Sequence, residues 1–249
     1  MLTLFQITLL AFQSVWIHQI TGESDVAFMD LEVTYCEAHR ECFKWGQSKG
    51  RIGYMIGENY KKIFQYCNCS QPLWVNIHSL LHPSNCSHVR KWNYGEKVSK
   101  LDGFSVNAVK ENNATMSYST LFYTPEEKLM HVNTVNSTYA YVCQVGRFIG
   151  RESGIQQGLF RADKLGHDKL QAHFDQKVGC FTKTTEATTA GCALRCYQNP
   201  ICRSFYYNNN LKSCLITAYV DSLLSSESWN LSPLNWRRFS RPGWSLVEV

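Results

Sequence analysis

The eleven cysteines of this chain limit its fold more than any other feature, because their number is odd and their spacing uneven. Six are spread over the first 143 residues, and five lie between residues 180 and 214. A chain of 249 residues with 44% hydrophobic content can bury a sizeable core, which excludes a disulfide-only miniprotein. The same composition excludes a disordered chain. The cysteines therefore belong to folded domains.

The N-terminal segment predicts export from the cell. Residues 1–22 contain no Lys, Arg, Asp or Glu and are mostly apolar. We therefore expect a secretory signal peptide over residues 1–24. The alternative is a buried helix or an uncleaved membrane anchor. Gln6, Thr8, Gln13 and Ser14 interrupt the apolar run, which makes it a poor span for a hydrocarbon layer of about 30 Å.

Five N-x-S/T sequons support the same compartment. We expect N-glycans at Asn68, Asn85, Asn113, Asn136 and Asn230. Together with the signal-like segment, they indicate a secreted, extracellular glycoprotein. Its cysteines should then be mostly oxidised. In the N-terminal part, we expect disulfides among six cysteines whose connectivity the sequence leaves open: Cys36, Cys42, Cys67, Cys69, Cys86 and Cys143.

The spacing of cysteines and of Gly-rich, charged stretches predicts an order of domains. A cysteine-containing, β-rich domain of unknown family should occupy residues 25–147, a linker 148–169, a second domain 170–242 and a C-terminal tail 243–249. In the first domain, residues 58–65 predict a short helix, and alternation over 104–123 and 129–145 predicts antiparallel strands. The fold class expected is α+β.

The second cysteine cluster predicts a helix followed by a hairpin. Residues 190–198 contain good helix formers after a capping Thr188 or Thr189, and Cys192 and Cys196 share one helix face. Residues 202–207 alternate as a strand does, residues 208–210 are three asparagines that predict a turn, and residues 213–217 return as the paired strand.

This pattern resembles the PAN/apple domain family. The residues that carry the resemblance are the Cys-x3-Cys helix, the strand Cys202-Arg-Ser-Phe-Tyr-Tyr and the later Cys214-Leu strand. It covers about residues 170–242 and implies a curved antiparallel sheet with one helix, with bonds Cys192–Cys214 and Cys196–Cys202. It also implies a module that binds proteins or carbohydrates outside cells and is not itself catalytic.

Cys180 departs from the family pattern. Full apple domains pair a cysteine near their beginning with one near their end, and no cysteine follows Cys214. We therefore expect Cys180 to be a free or intermolecular thiol, which would allow a disulfide-linked dimer. The alternative, that Cys180 bonds Cys143 or another N-terminal cysteine, stays open at this level.

The candidate ligand contacts lie on the predicted hairpin and on a later basic run. Aromatic and amide side chains at a hairpin tip suit sugars or proteins, and arginines suit sulfated polysaccharides. The candidates are Arg203, Tyr206, Tyr207, Asn208, Asn209, Arg237 and Arg238. Alternation along a strand turns about half of such residues toward the core, and a basic run is often an ordinary solvated face.

Other chemistries have little support in the sequence. The group Cys67, Cys69, His78, His82, Cys86 and His88 matches no structural zinc spacing, so we expect no metal and no cofactor. No His-Glu-x-x-His or Gly-x-Ser-x-Gly motif occurs and no Cys lies in a papain-like context, so we expect no enzyme. An exported protein is not expected to bind nucleic acid.

We therefore expect a secreted, N-glycosylated binding or adhesion protein that recognises an extracellular protein or glycan. A matrix component assembled through an unpaired cysteine is the first alternative, and a secreted hydrolase is the second.

Overall fold

The computed structural model describes residues 25–81, 92–97, 99–101, 120–126, 128–132, 137–148, 160–162, 179–222, 236–241, 244 and 246. These residues are rich in β-strands, contain two α-helices and include five disulfides. They form two sheets, of eight and five strands. The expected signal peptide and the sequons at Asn85, Asn113, Asn136 and Asn230 lie outside the described residues.

The eight-stranded sheet is the N-terminal one. Its elements are β1 (Val26–Thr34), α1 (Tyr35–Ser48), β2 (Arg51–Met55), a 3-10 helix (Tyr60–Gln65), β3 (Leu73–His78), β4 (Trp92–Tyr94), β5 (Ser99–Leu101), β6 (Thr120–Tyr123), β7 (Leu129–Val132) and β8 (Thr138–Phe148). Strand β8 pairs antiparallel with β1 and β2 and parallel with β3. The first and last strands of this part are therefore neighbours.

Helix α1 begins at a polar cap and ends against β2. The backbone N–H and the hydroxyl of Thr34 both donate to the carboxylate of Glu37, at 3.2 and 2.8 Å, which fixes the first turn. Gly46 of the helix meets Gly53 of β2 so closely that a Cβ on either would overlap the backbone of the other. Both glycines therefore allow the helix and the sheet to approach.

Strand β3 contributes to a core on each side of the sheet. Leu73, Val75 and Ile77 belong to one buried cluster, and Trp74 belongs to the other. The Trp74 ring makes edge contacts with the rings of Tyr35 and Tyr139, at centroid distances of 5.3 and 4.8 Å. All six residues of β3 are buried: one face is apolar, and the other carries Trp74 together with the polar Asn76 and His78.

Long-range disulfides hold α1 in place. Cys42 of α1 bonds Cys143 of β8, and Cys36 of α1 bonds Cys180 in the C-terminal part. The expectation that Cys180 is a free or intermolecular thiol is therefore wrong, because the fold brings Cys36 to it from 144 residues away in the sequence. Cys67 bonds Cys69. The ten described cysteines are paired in five disulfides, of which the remaining two lie in the C-terminal part. Cys86 lies outside the described residues.

The five-stranded sheet is the C-terminal one. Its elements are β9 (Arg161–Ala162), β10 (Phe181–Thr185), α2 (Thr189–Gln198), β11 (Cys202–Asn208), β12 (Ser213–Ala218) and β13 (Trp236–Ser240). The strand order is β10–β12–β11–β13–β9, and every pairing is antiparallel. The predicted helix and hairpin agree with α2, β11 and β12 to within one residue at each end.

Some sequence expectations are confirmed and others need correction. The stretch 129–145 holds β7 and the start of β8, and β7 pairs antiparallel with β6, as expected for strands in the two stretches. The helix expected over residues 58–65 is a 3-10 helix over Tyr60–Gln65. Of the stretch 104–123, only β6 lies within the described residues. Part of the expected linker, Arg161–Ala162, is a strand of the C-terminal sheet. The ring of Phe160 beside it contacts Phe205 at 5.0 Å, a long-range contact that composition does not reveal.

Candidate binding surface

The helix-facing side of the C-terminal sheet is a disulfide-stapled core. Cys192 and Cys196 of α2 bond Cys214 and Cys202, as the family resemblance implies. Thr188 caps the helix by accepting the backbone N–H of Gly191 at 3.0 Å. The Phe205 ring stacks on Phe239 at 4.8 Å within the same cluster. This face is therefore closed to a ligand.

The opposite side of the sheet holds a buried polar cluster. Arg238 and Asp221 form an ion pair, and both side chains are at most 10% exposed. The Asp221 carboxylate also takes a hydrogen bond from the hydroxyl of Ser204, which lies 2.7 Å from the hydroxyl of Thr217. Tyr206 is fully buried, and its hydroxyl donates to the backbone oxygen of Ser222 at 2.9 Å.

Burial dominates the electrostatics of this cluster. It raises the pKa of Asp221, an effect that the nearby Arg203 guanidinium and the Ser204 hydroxyl oppose. It lowers the pKa of Arg238 to about 10, which leaves the side chain protonated at neutral pH. The cluster is thus a structural ion pair, with its charges already satisfied by partners inside the molecule.

Five of the seven predicted ligand contacts are consequently buried: Arg203, Tyr206, Tyr207, Asn208 and Arg238. The expectation that they form a contact surface is wrong. Alternation predicts that half of a strand faces solvent, but β11 is an inner strand covered on both sides, so all seven of its residues are buried. Two of them support neighbouring backbone: Tyr207 donates to the Ala187 oxygen at 2.9 Å, and the Asn208 amide oxygen accepts two backbone N–H groups.

The exposed part of the hairpin is its four-residue tip. We call residues 209–212 the tip loop; its members are Asn209, Asn210, Leu211 and Lys212, and all four are exposed. The Asn208 amide oxygen accepts the backbone N–H groups of Asn210 and Leu211, each at 3.0 Å, and so holds the turn. Lys212 adopts a positive φ of 47° and its ammonium donates to Asn209 at 3.0 Å. The tip loop is therefore a defined turn that presents side chains to solvent.

The sequence reasoning took Asn208 and Asn209 from the predicted turn and its other candidates from the strands, and it missed Asn210, Leu211 and Lys212. Leu211 is 53% exposed, although it is a large apolar residue. Among the predicted contacts, Asn209 and Arg237 remain exposed. Arg237 pairs in register with Tyr207, next to the tip. The sequence feature that could have identified these residues is the run of asparagines. It marks a tight turn, whose residues lie past the ends of both strands and are exposed to solvent.

The charge of this part of the chain is strongly positive. The described residues from 160 onward carry two acidic side chains, Glu186 and Asp221. They carry eight cationic ones: Arg161, Lys183, Arg195, Arg203, Lys212, Arg237, Arg238 and Arg241. In the full sequence, residues 160–249 contain eleven Lys and Arg and seven Asp and Glu, a net charge of +4, so most of the chain's net charge of +5 lies in this part.

The two sheets meet at a junction that the sequence did not predict. The Arg203 guanidinium donates to the backbone oxygen of Gly95 at 3.0 Å and lies 4.5 Å from the Trp244 ring centroid. His39 of α1 stacks on Tyr219 at 5.4 Å. Trp244 and Leu246, from the expected C-terminal tail, are buried with Tyr54 of β2. We call these contacts the domain junction.

Three further findings concern a glycosylation site, metal binding and membrane spans. Asn68, the one sequon asparagine among the described residues, is exposed and lies between the bonded Cys67 and Cys69. Within the described part of the chain, no group of three or more His, Cys, Asp or Glu side chains could hold a metal ion. Neither of the two described α-helices is long and apolar enough to cross a membrane.

Comparison with known protein families agrees with the C-terminal architecture. Residues 175–227 match the family model of the PAN domain, so this part of the chain is a PAN domain. No family model matches the rest of the chain, and no curated protein matches it. PAN domains are protein- or carbohydrate-binding modules of extracellular proteins.

Proposed function

We propose that this chain is a secreted, N-glycosylated α+β protein that binds an extracellular protein or glycan through the tip loop of its PAN domain. Binding, rather than catalysis, is the role proposed. The observation that carries the proposal is the tip loop itself: a turn held by Asn208, with four exposed side chains, on a module whose two sheet faces are already occupied. The tip loop is therefore an edge of the PAN domain that is exposed to a ligand.

The charge of the module favours an anionic ligand. Lys212 and Arg237 are exposed cations at or beside the tip loop, while the buried Arg238 is already paired with Asp221. A sulfated polysaccharide presents repeated anionic groups that such cations contact, and Leu211 and the asparagines supply apolar and hydrogen-bonding contacts. We therefore place sulfated glycans first among the candidate ligands and acidic protein surfaces second.

The direct test uses the full chain, expressed through a secretory pathway and oxidised. Binding to a surface coated with heparin, as a model sulfated polysaccharide, is measured for the native chain and for Lys212→Ser/Arg237→Ser. We expect the double variant to bind about tenfold more weakly, since exposed cations steer and hold polyanions, and we expect added salt to weaken the native chain.

A matched control removes two cations elsewhere. Lys61→Ser/Lys128→Ser takes away two exposed lysines of the N-terminal part and should leave heparin binding unchanged. If this control and Lys212→Ser/Arg237→Ser lose affinity equally, binding is a net-charge effect and the tip loop is not the site. If the native chain binds neither heparin nor acidic extracellular proteins, the proposed ligand class is wrong.

Secretion and glycosylation are tested on the same material. The mass of the protein recovered from culture medium should correspond to cleavage before residue 25 plus the mass of N-glycans, and treatment with an N-glycosidase should remove the latter. Retention of the intact chain inside cells would contradict this part of the proposal. A covalent dimer on non-reducing electrophoresis would have to involve Cys86, because Cys180 is bonded to Cys36.

A further inference from the structure

Four segments of the chain meet at Glu96 in the domain junction. The backbone oxygen of Glu96 accepts the N–H of Leu246 at 2.7 Å, and its carboxylate accepts the N–H of Glu58. The preceding residue, Gly95, donates its N–H to the Asn76 oxygen at 2.9 Å and accepts the Arg203 guanidinium at 3.0 Å. The short turn at Gly95 and Glu96 therefore contacts four parts of the chain: β3, the turn after β2, the five-stranded C-terminal sheet and the segment that contains Trp244 and Leu246.

The carboxyl of Glu96 has little room for water. The residue is 2% exposed. A Cβ on Gly57 would overlap both of its carboxyl oxygens, so the backbone of the neighbouring turn lies directly against them. Trp244 and Leu246 are buried with Tyr54, which is close enough to Glu96 to interact with it electrostatically, and the Trp244 ring lies under the Arg203 guanidinium. Hydrating an ionised carboxylate here requires one of these segments to move.

The charged and titratable groups around Glu96 come from every neighbouring element. They are Glu58 and Lys97, which are paired with each other, Arg203 of the PAN sheet, and the tyrosines Tyr35, Tyr54 and Tyr94. The pKa of each of these three tyrosines is raised, mainly by burial, so they stay neutral up to strongly alkaline pH. Burial lowers the pKa of Arg203 and the Asp221 carboxylate opposes this shift, so Arg203 remains a cation.

The balance of these influences favours the protonated acid. Burial is the largest and raises the pKa of Glu96 to about 7, and Glu58 acts in the same direction. The backbone N–H bonds and Lys97 oppose the shift without cancelling it. In an opened and hydrated junction, the same carboxyl returns to the usual range near 4.5.

We propose that Glu96 is a proton-operated latch of the domain junction: the protonated carboxyl keeps Trp244 and Leu246 docked, and the ionised carboxylate releases them. The sign follows from linkage. A group that binds its proton more tightly in the docked form stabilises docking fully below its pKa in the open form, and this contribution is lost as the pH rises through its pKa in the docked form. Docking is therefore tightest in mildly acidic solution and weakens through neutral pH. This latch is independent of the ligand proposed above.

Amide hydrogen exchange at Leu246 reports the latch. This N–H donates to the backbone oxygen of Glu96 and is protected from exchange while Leu246 is docked. The protection factor of Leu246 in the native full chain should fall about a hundredfold between pH 5 and pH 8.5, and nearly all of this fall should occur below pH 7. In Glu96→Gln it should stay constant across that range. Glu32→Gln, which removes an exposed carboxylate of β1, should behave as the native chain does.

Two results would overturn the latch. One is a protection factor in the native chain that does not change with pH, and the other is an equal fall in Glu96→Gln. If Glu96→Gln does not fold, tryptophan fluorescence of the native chain and of Trp244→Phe decides the question. The difference between the two spectra isolates the signal of Trp244. That difference should change with a midpoint between about pH 5 and 7.5, and a change outside this range or none at all contradicts the proposal.

Discussion

The disulfides of the two sheets close very different lengths of sequence. In the PAN domain, the disulfides Cys192–Cys214 and Cys196–Cys202 close 22 and 6 residues of sequence. In the N-terminal part, Cys42–Cys143 closes 101 residues, and Cys36–Cys180 closes 144 and crosses to the other sheet. Local bonds follow from a helix and a hairpin that are visible in the sequence, whereas long-range bonds depend on how distant strands are brought together.

The largest expected effect tests this contrast directly. Cys42→Ser/Cys143→Ser should lower the free energy of unfolding by about 5 kcal/mol, and Cys192→Ser/Cys214→Ser by about 3 kcal/mol, since the loop-closure entropy of the unfolded chain grows with loop length. Urea unfolding of each double variant measures both. Equal losses for the two pairs would mean that local packing, rather than loop length, decides what each bond contributes.

The next prediction separates two neighbouring arginines of β13. Arg238→Met removes the ion-pair partner of the buried Asp221 carboxylate, leaves Arg203 as its nearby cation and should cost about 3 kcal/mol, whereas Arg237→Met should change stability by less than about 0.5 kcal/mol. Chemical denaturation at neutral pH gives both values. Arg238→Met/Asp221→Asn should recover part of the loss, and similar costs for Arg237 and Arg238 would show that the ion pair does not form.

A third prediction concerns the junction between the sheets. Burial lowers the pKa of His39 to about 3, so the folded protein holds this histidine neutral while the unfolded chain protonates it below about 6.5. Its contribution to stability is complete above pH 6.5 and is lost as the pH falls toward 3, by about 2 kcal/mol at pH 5. The stacked Tyr219 and the adjacent Tyr35 do not titrate in this range, because burial raises both of their pKa values.

The measurement for His39 is the pH dependence of urea unfolding. His39→Phe keeps an aromatic ring against Tyr219 and cannot be protonated, so its stability should fall less than that of the native chain between pH 7 and 5. Parallel profiles for the two proteins would contradict the placement of a neutral histidine in the junction.

The smallest expected effect is at the cap of α2. Thr188→Ala removes the acceptor for the Gly191 N–H and should cost about 1 kcal/mol, while Thr188→Ser should be close to neutral. Thermal unfolding of the two variants is sufficient. An equal loss in Thr188→Ser would assign the effect to the methyl group rather than to the cap.

The sequence predicted the PAN domain well because its signals are local. The ends of α2 follow from Thr188 and from Asn199-Pro200, and both bonds of this helix follow from the family pattern. The same reasoning failed for ligand contacts along β11. A residue's own strand sets which way its side chain points, but what covers that face is decided by other elements. Tyr206 and Arg238 therefore looked like contacts and are core.

By itself, the sequence determined the β-rich character of the chain, the helix and hairpin of the PAN domain and two of its disulfides. The tertiary structure alone decided that Cys180 bonds Cys36, that Phe160 joins the PAN sheet, and that Glu96, Arg203 and Trp244 meet at one junction. The reason is separation along the chain. Contacts within a helix or hairpin are set by local geometry, but bringing together residues about 40 to 144 apart depends on the packing of the whole fold.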